Sequence, residues 1–273
     1  MSNIFGLDSG AIDPQRDIVL ITGGGGGLGA SLASLLNQKG YRVVVLDVSI
    51  PPNSKRIHTV AYYKCDVSKK NQVDSIAATI ENKIGPISVL INNAAINCPG
   101  PVITLNQKAL ERTLQVNVVA NVHTIQAFVP GMITRGRGYI VTIASVLGHI
   151  SPANLSAYGA SKSALIALHE SLTQEMANDG HSGVRTLLVS PGQMNTTLFS
   201  AVSTPSRILA PVLTPEYVAG RIVGSLESGS RGELHLPMYG YFVPLVRAMP
   251  YPLAAVVRYL TGVDRTAIAA FHQ

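Results

Sequence analysis

The chain has 273 residues, of which 47% are hydrophobic and 13% charged, with a net charge of +6 and a mean hydropathy of +0.27. The length suits one large α/β domain with a substantial core, and the apolar balance predicts that some surface faces a membrane or a partner chain. No long Lys/Arg run occurs and aromatics are 5%, which argues against nucleic acid and leaves anionic cofactors or lipid surfaces as the partners of a mildly basic chain. Cys65 and Cys98 are two isolated thiols; they form neither a disulfide framework nor a metal site, are read as ordinary packed thiols, and fit a reducing compartment. Residues 1–16 carry Asp8 and Asp13 and lack a basic start with an apolar core, so no signal peptide is expected.

In chain order, the apolar run 18–22 leads straight into Gly23-Gly24-Gly25-Gly26-Gly27-Leu28-Gly29, and a helical pattern follows from Ala30. That is strand, tight turn, helix. Glycines at 23, 27 and 29 let the backbone turn sharply and approach a pyrophosphate, and the helix N-terminus offers it free N–H groups. A second strand over 41–46 ends in Asp47, 24 residues after Gly23. A carboxylate at that tip can accept hydrogen bonds from both hydroxyls of an adenosine ribose, so the stretch reads as a dinucleotide site.

Residues 58–64 read as a third strand ending in Cys65-Asp66-Val67, with Ser68 as N-cap of a helix to 83. Asp66 has two readings of equal weight, an acceptor for the adenine amino group or a turn carboxylate. Gly85-Pro86 breaks the helix; 87–91 is a fourth strand, followed by Asn92-Asn93-Ala94-Ala95. Residues 106–133 form a long helix with a polar interruption at Asn117, which is either a satisfied packing residue or the mark of a kink that frees a carbonyl to hold water. A fifth strand over 139–143 ends at Ala144-Ser145, a helix covers 157–178, and a sixth strand over 184–190 is closed by Pro191-Gly192. A helix over 215–226 and a short strand over 233–236 complete the pattern. Strands alternating with helices predict a single-domain, doubly wound, mostly parallel Rossmann sheet with helices on both faces.

Tyr158 and Lys162 lie four residues apart on one helix and share a face. An ammonium beside a phenol stabilises the phenolate and lowers the tyrosine pKa. Ser145 ends a strand on the same sheet edge as the glycine turn, where ligands of such folds bind, and can hydrogen-bond a substrate carbonyl or carbinol.

With these residues in place the chain resembles the short-chain dehydrogenase/reductase family over roughly residues 17–236. Thr22-Gly23 through Gly27-Leu28-Gly29 resembles its cofactor turn, and Asn92-Asn93-Ala94-Ala95 the element after its fourth strand, with Ala95 where glycine is more usual. Asn117, Ser145, Tyr158 and Lys162 match its catalytic tetrad, and Pro191-Gly192 with Thr196 the segment that closes over nicotinamide. The resemblance implies hydride transfer with NAD as cofactor. Tyr158 would exchange a proton with the substrate oxygen and Ser145 would polarise that oxygen. Lys162 would hold the nicotinamide ribose and depress the Tyr158 pKa, and Asn117 would anchor a water. Gly23, Gly27, Leu28, Gly29, Asp47, Asp66, Val67, Asn93, Tyr158, Lys162, Pro191, Gly192 and Thr196 would bind cofactor. Asp47 favours NAD(H), with NADP open because Lys55 and Arg56 follow along the loop. A non-catalytic dinucleotide sensor or scaffold is the alternative, and it has no use for the Tyr158/Lys162 pair.

The organisation expected is an N-terminal extension over 1–16, a catalytic domain over 17–240 with a lid at about 193–212, and an apolar tail over 241–273 packed on the same domain. Met194, Leu198, Phe199, Val202, Ile208, Leu209 and Val212 make the lid apolar, as a cover for a lipophilic substrate or as a subunit-packing loop. His149 and Asn154, after Ser145, are near enough in sequence to touch substrate, although a lone loop histidine is more often solvated. Within 241–260 the only charges are Arg247 and Arg258, and Pro244, Pro250 and Pro252 argue against a spanning helix. An interfacial or partner-packing segment is expected instead. Such a tail, and the Ala167-Leu168-His169-Glu170-Ser171-Leu172 stretch, are similar to the retinol and 17β-hydroxysteroid dehydrogenase branch. That resemblance implies a cytoplasmic chain peripheral to endoplasmic reticulum or lipid-droplet membrane. A homodimer or homotetramer is expected.

Overall fold

The structure is a computed structural model that describes residues 10–199 and 211–264. Seven parallel strands form one sheet in the order β3-β2-β1-β4-β5-β6-β7: β1 Ile18–Thr22, β2 Arg42–Asp47, β3 Ala61–Lys64, β4 Val89–Asn92, β5 Gly138–Ile143, β6 Val184–Pro191 and β7 Gly232–Leu236. The central strands are buried on both faces, as a parallel sheet covered by helices requires. Alternate residues point to opposite sides. Val19 and Ile21 pack with Leu28, Leu32 and Leu36 of helix α1 (Gly27–Gln38) and with Val218 and Ile222 of helix α6 (Pro215–Glu227). Leu20, Leu46, Leu90 and Ile140 pack on the other side with Val73 and Ile80 of helix α2 (Lys70–Lys83).

All strands run one way, so their carboxyl ends share one edge. The glycine turn, Asn93 and Ser145 follow strands there, and Asp47 and Pro191 end theirs, at the edge where open α/β sheets bind ligands. The strand reversal between β1 and β4 opens the crevice.

Three local expectations are corrected. The third strand starts at Ala61 rather than 58, because Val60 N–H closes a turn onto the Ile57 carbonyl. Ser68 does not cap α2: Lys69 holds that position, and Ser68 Oγ donates instead to Asp66 Oδ1 at 2.6 Å. The long helix is three pieces, α3 (Gln107–Leu114), a π-helical turn over Gln115–Val119, and α4 (Ala120–Thr134). The whole stretch Gln107–Thr134 is long and apolar enough to cross a membrane by length and composition, but half of its most apolar window is buried within the fold.

The next helix, α5 (Ser156–Asn178), carries Tyr158, Lys162 and His169. The tail forms helices α7 (Val243–Ala248) and α8 (Tyr251–Thr261). Pro244 and Pro252 sit in their first turns and Pro250 precedes α8, positions where the missing N–H costs no intrahelical bond. Arg247 donates to the Gly148 carbonyl, and Arg258 bonds Ser151 O and Asp264, so both helices are tied to the loop after Ser145 and its C-terminal neighbour.

Candidate active site

The turn between β1 and α1 leaves no room for side chains at two of its glycines. Gly23 has φ +66°, and a Cβ there would lie 2.8 Å from Ala94 Cα. At Gly29 a Cβ would lie 2.2 Å from the Gly23 carbonyl oxygen. Asn93 stitches the turn to β4: its Nδ2 donates to Thr22 O and Gly23 O, while Thr22 Oγ1 accepts from the N–H groups of Asn93 and Ala94. Gly26 caps α1 with no side-chain bond, which leaves the first helical N–H groups free for a ligand. Asp47 is fixed by Gly25 N–H on Oδ2 and Ser49 N–H on Oδ1, each at 2.9 Å. Thr196 crosses this turn, its Cγ2 3.4 Å from the position a Gly27 Cβ would take. Side-chain-free backbone, unoccupied helix N–H groups and an oriented carboxylate at the tip of β2 fit a dinucleotide.

Asp66 faces the same crevice and is also paired, through Oδ2 to Arg112 at 3.0 Å and Oδ1 to Ser68. Burial pushes its carboxyl up, but the bonds from Ser68 and Arg112 outweigh that and hold it below its ordinary value. It is thus a turn carboxylate that also lines the crevice.

At the other end Ser145, Tyr158 and Lys162 line one cavity. Ser145 Oγ accepts from Leu147 N–H at 3.1 Å and donates to Pro191 O at 3.3 Å. Lys162 is 2% exposed; its Nζ donates to Ile143 O at 2.7 Å and stands 5.6 Å from the Tyr158 ring centre. Burial brings its pKa down to about 7. The Tyr158 phenol is pushed above its ordinary value by burial, with the Ser145 hydrogen bond pulling the other way. This corrects the expectation that Lys162 depresses the phenol. In the chain by itself the ammonium is turned to the Ile143 carbonyl, and desolvation dominates.

Asn117 is fully buried and does not line the cavity. Its Oδ1 accepts from Ile96 N–H, and its Nδ2 donates to Ile96 O and to Ser161 Oγ. The amide is satisfied, as the packing reading expects, and a π-helical turn lies here, but the carbonyl expected to be freed for a water is engaged. The Asn117 carbonyl accepts from Asn121 Nδ2 at 2.9 Å. Gly29 likewise stays out of the cavity and acts by packing. The remaining expected residues, Gly23, Gly27, Leu28, Asp47, Asp66, Val67, Asn93, Pro191, Gly192 and Thr196, all face it. His149 and Asn154 do not. His149 instead packs on His235 with ring centres 5.4 Å apart.

The cavity measures about 930 Å³. Phe199 meets Tyr158 edge-to-face with centres 5.0 Å apart. Ile150, Leu155, Met194 and Leu198 line the wall, and Val243, Val246 and Val257 of the tail complete it. Within the expected lid, Val202, Ile208 and Leu209 lie outside the described residues. Periodicity gives the tail an apolar face but not which face meets the cavity, so Val243, Val246, Val257 and Tyr239 were not legible as site residues. Ser161 carried no signal beyond its place between Tyr158 and Lys162.

A family profile described as short chain dehydrogenase matches residues 17–206. The chain is 37% identical to the uncharacterized oxidoreductase TDA5 of Saccharomyces cerevisiae over 92% of this chain and 77% of that one. It is 29% identical to estradiol 17-beta-dehydrogenase 11 of Homo sapiens over 93% of this chain and 86% of that one. Ligand-free aldohexose dehydrogenase of Thermoplasma acidophilum superposes with a TM-score of 0.71 at 27% identity, covering 83% of this chain and 94% of that one. The fold, the glycine turn and the profile agree: the chain belongs to the short-chain dehydrogenase family of nicotinamide-dependent oxidoreductases, near its 17β-hydroxysteroid and retinol dehydrogenase branch.

Proposed function

We propose that the protein moves hydride between NAD(H) and a lipophilic alcohol or ketone of steroid, retinoid or fatty-alcohol type. The observation that carries this reading is the cavity of about 930 Å³. It joins the dinucleotide end and a proton-transfer pair to walls of Val, Leu, Ile, Met and Phe, and the lining of that second part suits an apolar ligand. The bound dinucleotide would supply the hydride donor or acceptor. Tyr158 gives a proton to the carbonyl oxygen, or takes one from the alcohol. Ser145 Oγ orients that oxygen, and Lys162 is placed for the ribose. Asn117 positions the loop at Ile96, which forms part of the wall. A panel of steroids, retinoids and long-chain alcohols assayed with both cofactors tests the reading. Dinucleotide binding without turnover across the whole panel would favour the sensor alternative.

A raised Tyr158 pKa fixes the sign of the pH dependence. The phenol is an acid in hand at neutral pH, so reduction needs no prior ionisation. Oxidation needs the phenolate, whose fraction grows about tenfold per pH unit below the pKa. Above the Lys162 titration near pH 7, oxidation kcat should climb with slope near one from about pH 8 upward while reduction stays level; a flat oxidation profile would contradict the role of Tyr158.

Asp47 supports NAD(H). A 2′-phosphate would meet its fixed carboxylate, and Arg56 turns away, its Nε donating to Pro51 O at 2.7 Å. We expect kcat/KM to favour NAD(H) by about tenfold or more, given the cost of opposing like charges, and Asp47→Ser to erase that preference. Equal or better use of NADP(H) by the unaltered protein would reverse this.

The tail's outer face lies against a lipid surface in this reading, on a protein peripheral to membrane in the cytoplasm. Phe242, Tyr251, Tyr259 and Leu260 are each more than 60% exposed, and residues 234–263 contain no acidic side chain. Tyrosines and apolar chains without acids suit the headgroup boundary. The full chain should float with anionic vesicles, and a Phe242→Ser, Tyr251→Ser, Leu260→Ser variant should float less. If the unaltered chain stays unbound and the same variant instead splits an oligomer, the face is a subunit interface.

A further inference from the structure

A second phenol stands beside the reaction centre. Tyr239 lies on the short 3₁₀ turn Met238–Tyr241 after β7, and its side chain lines the same cavity as Ser145, Tyr158 and Lys162. Its hydroxyl approaches Gly192 so closely that a Cβ there would be 2.9 Å from Tyr239 Oη. Gly192 follows Pro191, whose carbonyl accepts from Ser145 Oγ at 3.3 Å. The phenol is therefore near the reacting end of the cavity. Burial pushes its pKa up, so it stays neutral at physiological pH, able both to donate and to accept. Among the described residues it has no hydrogen-bond partner, so the hydroxyl is open to whatever enters the cavity, and a bound apolar molecule would leave it unpaired. The wall includes the apolar Met194, Leu198, Val243 and Val246, with Gln193 the polar side chain next to Gly192.

We propose that Tyr239 is a specificity-determining residue. It hydrogen-bonds a second oxygen of the substrate, a hydroxyl or carbonyl a few bonds from the reacting one. The preferred substrate is then a lipophilic α-hydroxyketone or the matching vicinal diol rather than a plain ketone or alcohol. The idea rests on the oxidoreductase reading above. An oxygen-bearing substrate satisfies the phenol, while its deoxy analogue leaves that hydroxyl dry and unpaired, which is how a polar group in an apolar site discriminates.

The test compares a long-chain α-hydroxyketone with the same ketone lacking the hydroxyl. In the unaltered protein kcat/KM should favour the hydroxyketone by roughly tenfold, the worth of one net hydrogen bond. Tyr239→Phe should bring that ratio close to one, with the melting temperature and dinucleotide affinity measured alongside to show a folded, loaded protein. A ratio near one in the unaltered protein overturns the proposal without recourse to any variant. So does an equal loss on both compounds in Tyr239→Phe, which would make the phenol a packing or cofactor contact. Turnover of neither compound, nor of any member of the wider panel, overturns the substrate reading itself and this inference with it.

Discussion

Tyr158→Phe should cut kcat/KM by about two to four orders of magnitude, the usual worth of a positioned general acid–base, while dinucleotide affinity changes little. The substitution removes one oxygen and keeps the ring, so the edge contact with Phe199 at 5.0 Å and the packing near Lys162 persist. What disappears is the group that exchanges a proton with the substrate oxygen. Steady-state kinetics with the best substrate of the panel, set beside titration with NADH, separates the two effects. Turnover within a few-fold of the unaltered enzyme would remove Tyr158 from the mechanism. A matching loss of dinucleotide affinity would mean that the phenol supports the cofactor rather than the chemistry.

Gly29→Ala should weaken dinucleotide binding by roughly 5- to 150-fold, the equivalent of about 1–3 kcal/mol of overpacking. Its Cβ would sit 2.2 Å from Gly23 O, 2.7 Å from Asn93 Nδ2 and 2.8 Å from Gly24 Cα. Two of these are backbone atoms, and the third is the amide that ties the turn to β4. Relief comes only if α1 draws away from β1, and that moves the N–H groups that in the proposed function meet phosphate. Gly220→Ala is the control, since it lies on α6 with nothing within 4 Å of its Cβ. Calorimetric titration of NADH into both variants should show the loss at position 29 alone. Equal affinities would mean that the turn adapts and its geometry is less strict than the packing implies.

The parts of this architecture visible in the sequence are those governed by short-range rules. Apolar runs ended by glycine, asparagine or proline mark β1, β4 and β6, because a strand buried on both faces is mostly apolar. Asp47, Ser145 and Pro191 each end such a run, so parallel pairing alone brings them to one edge. Tyr158 and Lys162 needed only helical spacing. What stayed hidden depends on contacts between distant segments. Arg112 could not be assigned to Asp66 from a separation of 46 residues, nor Ser161 to Asn117 from 44. The Tyr158 pKa shift went the other way from the sequence expectation because burial, a property of the whole fold, raises it while Lys162 Nζ is turned to the Ile143 carbonyl. Tyr239 and the inner face of the tail belong to the same class, since periodicity defines a stripe without naming what it covers.

The division of labour between sheet and tail bears on how this enzyme can diversify. β7 ends at Leu236, and its pairing with β6 completes the ladder; the stretch from Met238 to Thr261 adds part of the chamber wall, through Tyr239, Val243, Val246, Val257 and Thr261, and no strand to the sheet. Exchange of Val243, Val246 or Val257 for larger or smaller apolar side chains reshapes the chamber without breaking an inter-strand hydrogen bond. Selection can therefore alter substrate preference in a segment that carries little of the folding energy, while the glycine turn and the Ser145–Tyr158–Lys162 cluster stay constrained by a core that tolerates little change. Descendants of such a protein would be expected to diverge first in their last helices, keeping the chemistry and trading the molecule on which it is performed.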